Sequence, residues 1–315
     1  MTRHLNDNLP SFAENLRGRK FVFAGNRSFV LEEIIARDFP VEVFAVRGSW
    51  LERELRGSGR RFSVIESRND LVVRLTSMDF DVFVSNGCPY ILPVSKLKDR
   101  DRIFVNVHPG PLPDLRGLDP VPGALLLGRD SGAACHLMDD GIDTGPIISR
   151  VVIPNTEDLD AGLLYQMSFM AEKEAFSRAC ERGFRPAPEA GTGRPGVYYS
   201  KKPEDLRIDF GEAPAAIVRR VKAFSNRSQG ARFSYRGSTF RVFDAEPVVN
   251  PWLMRRRNSY APGEVVFRYE DCLLVRLGEG YLKLKAIEGD LSAIRPGDRL
   301  GAVEQHAPAG AVTAA

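Results

Sequence analysis

The chain reads as an α/β protein, a Rossmann-like doubly wound parallel sheet followed by a small β-barrel. Three observations carry that expectation. Short apolar runs alternate with helix-periodic segments through the first half, the pattern of βαβ units. A Pro- and Gly-rich stretch at Phe184–Pro195 interrupts it. Short strand-like runs separated by turn residues then fill the remainder. With 315 residues the chain exceeds the ~250–300 at which single cores stop growing, so two domains are expected.

Lys20–Gly25 is an apolar strand ending in Gly25-Asn26-Arg27-Ser28, and Phe29–Arg37 has helical apolar spacing. Val41–Val46 and Phe62–Glu66 read as the next strands. Leu71–Met78 is a helix, Asp81–Ser85 and Ile103–Val107 are strands, and Ala133–Met138 is a buried strand. Leu159–Arg182 is a long amphipathic helix with Leu163, Met167, Met170 and Phe176 at apolar positions, the methionines as core filler. After the linker comes a helix at Ala213–Phe224. Strands follow at Ala231–Tyr235, Thr239–Ala245, Gly263–Arg268, Cys272–Arg276 and Tyr281–Ala286. The expected organisation is an N-terminal extension (1–19), a catalytic domain (20–183), a linker (184–195), a C-terminal domain (196–300) and a flexible tail (301–315). The first strand lacks GxGxxG, which disfavours a nicotinamide or flavin dinucleotide.

Composition narrows the classes further. No apolar run approaches the ~18 residues of a membrane span. Residues 1–19 lack the apolar segment of an export signal, so the expected location is the cytoplasm. Cys88, Cys135, Cys180 and Cys272 are widely spaced, without zinc-type clustering, and are expected to be reduced thiols. Net charge is +5 from Gly196 onward and −2 before it. That excess is too small to separate an RNA partner from a phosphorylated small molecule.

The densest chemistry lies in Ile103–Gly145. Asn106 and His108 end an apolar strand and a Pro/Gly turn follows at once. Asp139-Asp140-Gly141-Ile142-Asp143-Thr144-Gly145 comes about a helix and a strand later. Amide, imidazole and carboxylate thus sit at the ends of neighbouring elements, where open parallel sheets build their sites. Together they can polarise a carbonyl, move a proton and fix an imidazole. Asp139, Asp140 and Asp143 are also hard oxygen donors. Their loop falls short of a calcium-loop ligand set, and no metal is expected.

Asn106-x-His108, Leu112-Pro113-x-x-Arg116-Gly117 and Asp139-x-Gly141-x-Asp143-x-Gly145 resemble the motifs of the folate-dependent formyltransferases. That family includes enzymes acting on methionyl-tRNA, glycinamide ribonucleotide, amino sugars and hydroxyornithine. The likeness runs from about Lys20 to about Leu300. It implies transfer of the formyl group of 10-formyltetrahydrofolate to an amine, and an OB-like C-terminal domain. By the same resemblance Asn106 would donate to the carbonyl oxygen with His108 beside it. Asp143 would orient His108 and relay the proton of the attacking amine. A carboxylate beside an imidazole favours the imidazolium, so His108 is expected protonated.

Gly87-Cys88-Pro89-Tyr90-Ile91-Leu92-Pro93 resembles the family's pterin loop. Its backbone would pair with the pterin, Tyr90, Ile91 and Leu92 would wall the ring, and Asp139 and Asp140 would close the far side of the pocket. Arg116 and Gly110 are candidates for acceptor contact. His136 reads as a core or pocket-wall residue. His4 and His306 lie in terminal segments, and Cys88 is not needed as a nucleophile.

The acceptor is expected to be small. Many tRNA enzymes of the family carry a long basic loop after the second strand. Here Arg47–Arg61 is basic but holds two glutamates, with Trp50 its one large aromatic. Their Asn-Pro-x-Pro turn is replaced by Phe224–Gly230, and Gly110 stands where many relatives have Ser. A nucleotide-linked amino sugar is the first choice, with Arg27, Arg47 or Arg116 available for its phosphates. Hydroxyornithine, methionyl-tRNA and water (a formyl-folate hydrolase) are the alternatives. The second domain could bind acceptor, form a homodimer or cover the core.

Overall fold

A computed structural model describes residues 15–97, 102–187 and 195–303. Most of the expected N-terminal extension with His4, residues 188–194 of the linker, and the tail from 304 with His306 lie outside the described residues. The chain forms two compact units. Of the described residues, the first takes in those up to 121, 130–155 and those from 164 to 200, and the second 122–129, 156–163 and 201–303.

In the first unit β1 (Phe21–Gly25), β2 (Val41–Val46), β3 (Ser63–Ile65), β4 (Val82–Asn86), β5 (Ile103–His108), β6 (Ser131–Leu137) and β7 (Ile147–Ile153) form one sheet. Its order is β3-β2-β1-β4-β5-β6-β7. The first five strands are parallel, as the alternating pattern predicts. β6 and β7 run antiparallel, so the sheet is mixed at that edge. Wholly buried strands leave no alternation from which direction could be read.

Alternate residues of each strand serve opposite faces. Phe21, Phe23, Val82, Val84 and Val105 pack with Val30 and Ile34 of α1 (Phe29–Ala36) and Phe176 of α6 (Ala161–Glu181). Val22, Ala24, Phe83 and Phe104 pack with Leu71 and Leu75 of α3 (Arg68–Ser77) on the other face. Each fully buried Phe or Leu contributes roughly 1.5–3 kcal/mol through removal from water.

Several local expectations change. The segment Arg47–Arg61, to which the sequence reading assigns no element, holds α2 (Trp50–Ser58). Ser49 caps it by accepting from the Glu52 N–H, Gly59 ends it in the left-handed region, and Leu51 and Leu55 anchor it in the core. Met170 is 67% exposed and Leu163 is also exposed, so neither is core filler. Their helix is apolar over more of its circumference than the sheet covers. Among the described residues no helix is long and apolar enough to cross a membrane.

The second unit holds a five-stranded antiparallel sheet. Its strands are β8 (Ala231–Tyr235), β9 (Ser238–Val248), β10 (Val265–Tyr269), β11 (Cys272–Arg276) and β12 (Tyr281–Glu288), in the order β10-β11-β12-β9-β8. Ile217 and Val221 of α7 (Pro214–Ala223) pack into its core with Phe233, Val242 and Leu284. The segment 299–301 bridges both sheet edges. Ser234 and Gly301 exchange backbone hydrogen bonds, and Leu300 N–H donates to the Gly263 carbonyl. This double bridge makes the unit barrel-like and satisfies both edges.

Candidate active site

The C-terminal end of β5 supplies Asn106 and His108, on one face because they lie two residues apart. β6 runs antiparallel beside it in a register that sets His136 opposite Asn106. The loop after β6 then returns Asp143 over both, with a left-handed backbone (φ 54°) that aims its carboxylate back at the strand ends. Asn106 Nδ2 lies 3.3 Å from Asp143 Oδ1 and 3.2 Å from His136 Nε2. His108 Nδ1 is 3.4 Å from Asp143 Oδ2, and His136 Nε2 is 3.6 Å from Asp143 Oδ1. The three expected residues are therefore together, and His136, expected as a core or pocket-wall residue, is buried against Asn106 and Asp143. Its place depends on the antiparallel register, which the sequence does not display.

Backbone partners assign the tautomers, because a carbonyl only accepts. His136 Nδ1–H donates to the Leu137 carbonyl at 2.9 Å, leaving Nε2 to accept from the Asn106 amide. His108 Nε2–H donates to the Leu115 carbonyl at 2.8 Å. The Gly117 N–H donates to Asp143 Oδ2 at 3.0 Å.

The expected protonation of His108 is reversed. Burial holds this imidazole below its ordinary value of 6.5, outweighing the Asp143 charge and the Leu115 carbonyl; His136 and Arg27 push the same way as burial. His108 is thus neutral at pH 7. Burial pushes Asp143 up, yet its carboxyl lies below 3.8, with the Gly117 N–H among the groups that hold it down. Asp143 is therefore ionised.

The loop 87–93 follows β4 and turns at Gly87 (φ 68°), where a Cβ would meet the Asn26 side chain at 2.1 Å. Tyr90 is half-buried and Ile91 is 53% exposed, so both offer surface. Leu92 does not. It is 2% exposed and packs with Phe83, Val94 and Phe104, because alternation along the loop turns it inward. Burial pushes the Cys88 thiol up to about 11, so it is no thiolate. Asp140 Oδ1 accepts from the Ser95 N–H at 3.0 Å, tying the 139–144 loop to the chain just beyond the 87–93 loop. Asp139 accepts from Gly141 N–H and Thr144 Oγ1 within its own loop. Among the described residues no cluster of three His, Cys, Asp or Glu side chains could hold a metal ion.

Gly110 is buried, and a Cβ there would meet Leu115 O at 2.7 Å and His108 Nε2 at 2.8 Å. It packs under His108 and does not present itself to an acceptor. Arg116 is half-buried, with its Nε lacking a hydrogen-bond partner among the described residues. Arg27 is paired with the fully buried Glu172 of α6, and Arg47 with Glu66, so neither guanidinium is uncommitted. The Arg27–Glu172 pair spans 145 positions and has no local sequence signal.

Residues 26–180 match the family model described as formyl transferase, and 201–294 match the formyl transferase C-terminal domain. The chain belongs to the formyl transferase family. It is an enzyme that transfers formyl groups. A methionyl-tRNA formyltransferase of Neisseria meningitidis serogroup C is 30% identical over 224 residues, 68% of each chain. That of Acidiphilium cryptum is 28% identical over 234 residues, 71% of this chain and 75% of the relative.

Solved structures share the fold. WlaRD, a sugar 3N-formyl transferase studied with dTDP and 5-N-formyl-THF, superposes with a TM-score of 0.64 at 17% identity, covering 85% of this chain and 97% of its own. A Helicobacter canadensis N-formyltransferase with folinic acid and dTDP-3-aminofucose gives 0.64 at 18%, covering 85% and 98%. HypX of Aquifex aeolicus, in complex with tetrahydrofolic acid, gives 0.59 at 18%, covering 84% of this chain and 43% of HypX.

Proposed function

We propose that this formyltransferase moves the formyl group of 10-formyltetrahydrofolate to the amine of a small acceptor, a nucleotide-linked amino sugar. The observation that carries the chemistry is the set Asn106, His108, His136 and Asp143 at the strand ends, its two histidines buried and Asn106 and Asp143 half-buried, held by Leu115 O and Gly117 N–H. The folate reading is supported by the turn at Gly87 and by the half-buried Tyr90 and exposed Ile91 beside that set.

The acceptor nitrogen attacks the formyl carbon and negative charge develops on the carbonyl oxygen. Asn106 is the donor for it. The amide's 3.3 Å contact to Asp143 is the longer of its two and is the one the oxygen replaces. His136 keeps the other hydrogen and so keeps the amide aimed. His108 cannot also donate, because its Nε2–H is committed to Leu115. Ionised Asp143 takes the proton shed by the attacking nitrogen. It passes this proton to the folate nitrogen as the bond from that nitrogen to the formyl carbon breaks, so charge and atoms balance.

The small-acceptor reading is supported by α2. Where a long basic loop would serve RNA, Arg56 pairs with Glu52 at 2.6 Å, Arg53 donates to the Gly48 carbonyl and Arg47 pairs with Glu66. Three of the segment's five arginines are thus engaged within the protein rather than with phosphates. The sugar N-formyltransferases among the structural neighbours point the same way. Methionyl-tRNA remains the second reading, favoured by the sequence relatives.

The test is release of tetrahydrofolate from 10-formyltetrahydrofolate with nucleotide-linked amino sugars, hydroxyornithine or charged initiator tRNA as acceptor. Turnover with a sugar nucleotide is expected. Turnover with tRNA alone overturns the acceptor assignment, and release with no acceptor makes the enzyme a hydrolase.

A further inference from the structure

Two of the site's groups are held by one loop. His108 donates to the Leu115 carbonyl and Asp143 accepts from the Gly117 N–H. Their separation, 3.4 Å between His108 Nδ1 and Asp143 Oδ2, is therefore set by where 115–117 lies. That loop has little regular structure of its own, and Leu115 (φ 55°) and Gly117 (φ 106°) both have positive φ.

The segment 196–199 is laid alongside it. Arg116 N–H donates to the Val197 carbonyl at 2.9 Å and Tyr199 N–H donates to the Arg116 carbonyl at 2.7 Å, a parallel bridge. The approach is close. A Cβ on Gly196 would meet the Pro113 carbonyl at 2.4 Å, and one on Gly117 would meet the Tyr199 carbonyl at 2.5 Å. The Asp114 side chain also joins the two segments. Asp114, 8% exposed, accepts with a single oxygen, Oδ1, from the Leu115 N–H and the Val197 N–H, each at 2.9 Å.

We infer that Asp114 is a positioning residue: by locking the loop 114–117 to the segment 196–199 it fixes the place of Asp143, the proton acceptor proposed above, and of His108 beside it. It rests on that proposed role of Asp143, and Asp114 acts without touching either substrate. The working element is the acceptor oxygen Oδ1, which the backbone N–H groups of Leu115 and Val197 both meet. A buried carboxylate pinned between two chain segments is costly unless such donors meet it.

The experiment compares the full-length enzyme with Asp114→Ala and Asp114→Asn, by steady-state kinetics and by amide hydrogen exchange of Arg116, Gly117 and Val197. Asp114→Ala is expected to lower kcat by about 10²-fold, the scale of a 1 Å misplacement. KM for the formyl donor should stay within about threefold, because the loop 87–93 is untouched, and Gly117 should lose protection. Asp114→Asn is expected to restore kcat to within severalfold, because its Oδ1 accepts the same two N–H groups. Wild-type kcat in a folded Asp114→Ala enzyme overturns the inference. So does an Asn variant as slow as the Ala variant. If Asp114→Ala does not fold, Gly196→Ala, whose Cβ forces 196–199 off the loop, takes its place with the same expected kcat loss and Gly117 exposure; unchanged kcat with Gly117 exposed overturns the inference. Retained transfer by Asp143→Ala would sink the proposed role of Asp143 itself, and the exchange data keep that failure distinct from failure of the clamp.

Discussion

Glu172→Gln should abolish a pH dependence of stability that the wild-type chain carries. Glu172 lies on α6 with no exposed surface, paired with Arg27, which is itself 20% exposed. Burial pushes its carboxyl from 4.5 up to about 7, against the opposing pull of Arg27 and Asn86. Between those values the folded protein holds a proton that the unfolded chain has released. Stability from this group is therefore complete below 4.5, falls as pH rises, and is gone above about 7. Integrated between pH 5 and 8 the loss is about 2.5 kcal/mol. His108, held below 6.5, titrates with the opposite sign in part of the window, so the difference between variant and wild type is the quantity to follow. Urea unfolding at pH 5, 6, 7 and 8 measures it, read from Trp50 of the first unit in a Trp252→Phe background. The variant should gain about 2.5 kcal/mol on the wild type over that range. Parallel stability curves would show that Glu172 is ionised and fully compensated by Arg27 throughout, and would refute the reasoning.

Three further outcomes are expected. Asn106→Ala should cost about 10²–10³ in kcat, as loss of an oxyanion donor does, with circular dichroism unchanged; a loss under tenfold would remove Asn106 from that role. The His108 imidazole, followed by NMR, should titrate below 6.5, and a midpoint above 6.5 would mean that the Asp143 charge outweighs burial. Phe104→Ala removes a ring buried between Phe80 and Phe83 and should destabilise by about 3–5 kcal/mol, measured by urea midpoint, with little change if neighbours collapse into the gap.

What the sequence determined by itself is what short-range pattern encodes. The runs Lys20–Gly25, Val41–Val46 and Asp81–Ser85 fall within a residue of the observed strands because β-branched and aromatic residues in short blocks bounded by Gly, Pro and Ser suit a buried parallel sheet. The placement of Asn106 and His108 on one face follows from a two-residue period. The motif residues near Asp143 were legible through their resemblance to those of the folate-dependent formyltransferases.

What depended on tertiary structure is whatever involves partners far apart in the chain. His136 joins Asn106 only through the antiparallel register of β6 on β5. Glu172 meets Arg27 across 145 positions. Leu92 turns into the core and Met170 out of it, since burial depends on which neighbours the sheet brings. The protonation of His108 reversed for the same reason. An adjacent carboxylate can be read from motif spacing, but the cost of desolvating a charge is set by everything packed around it.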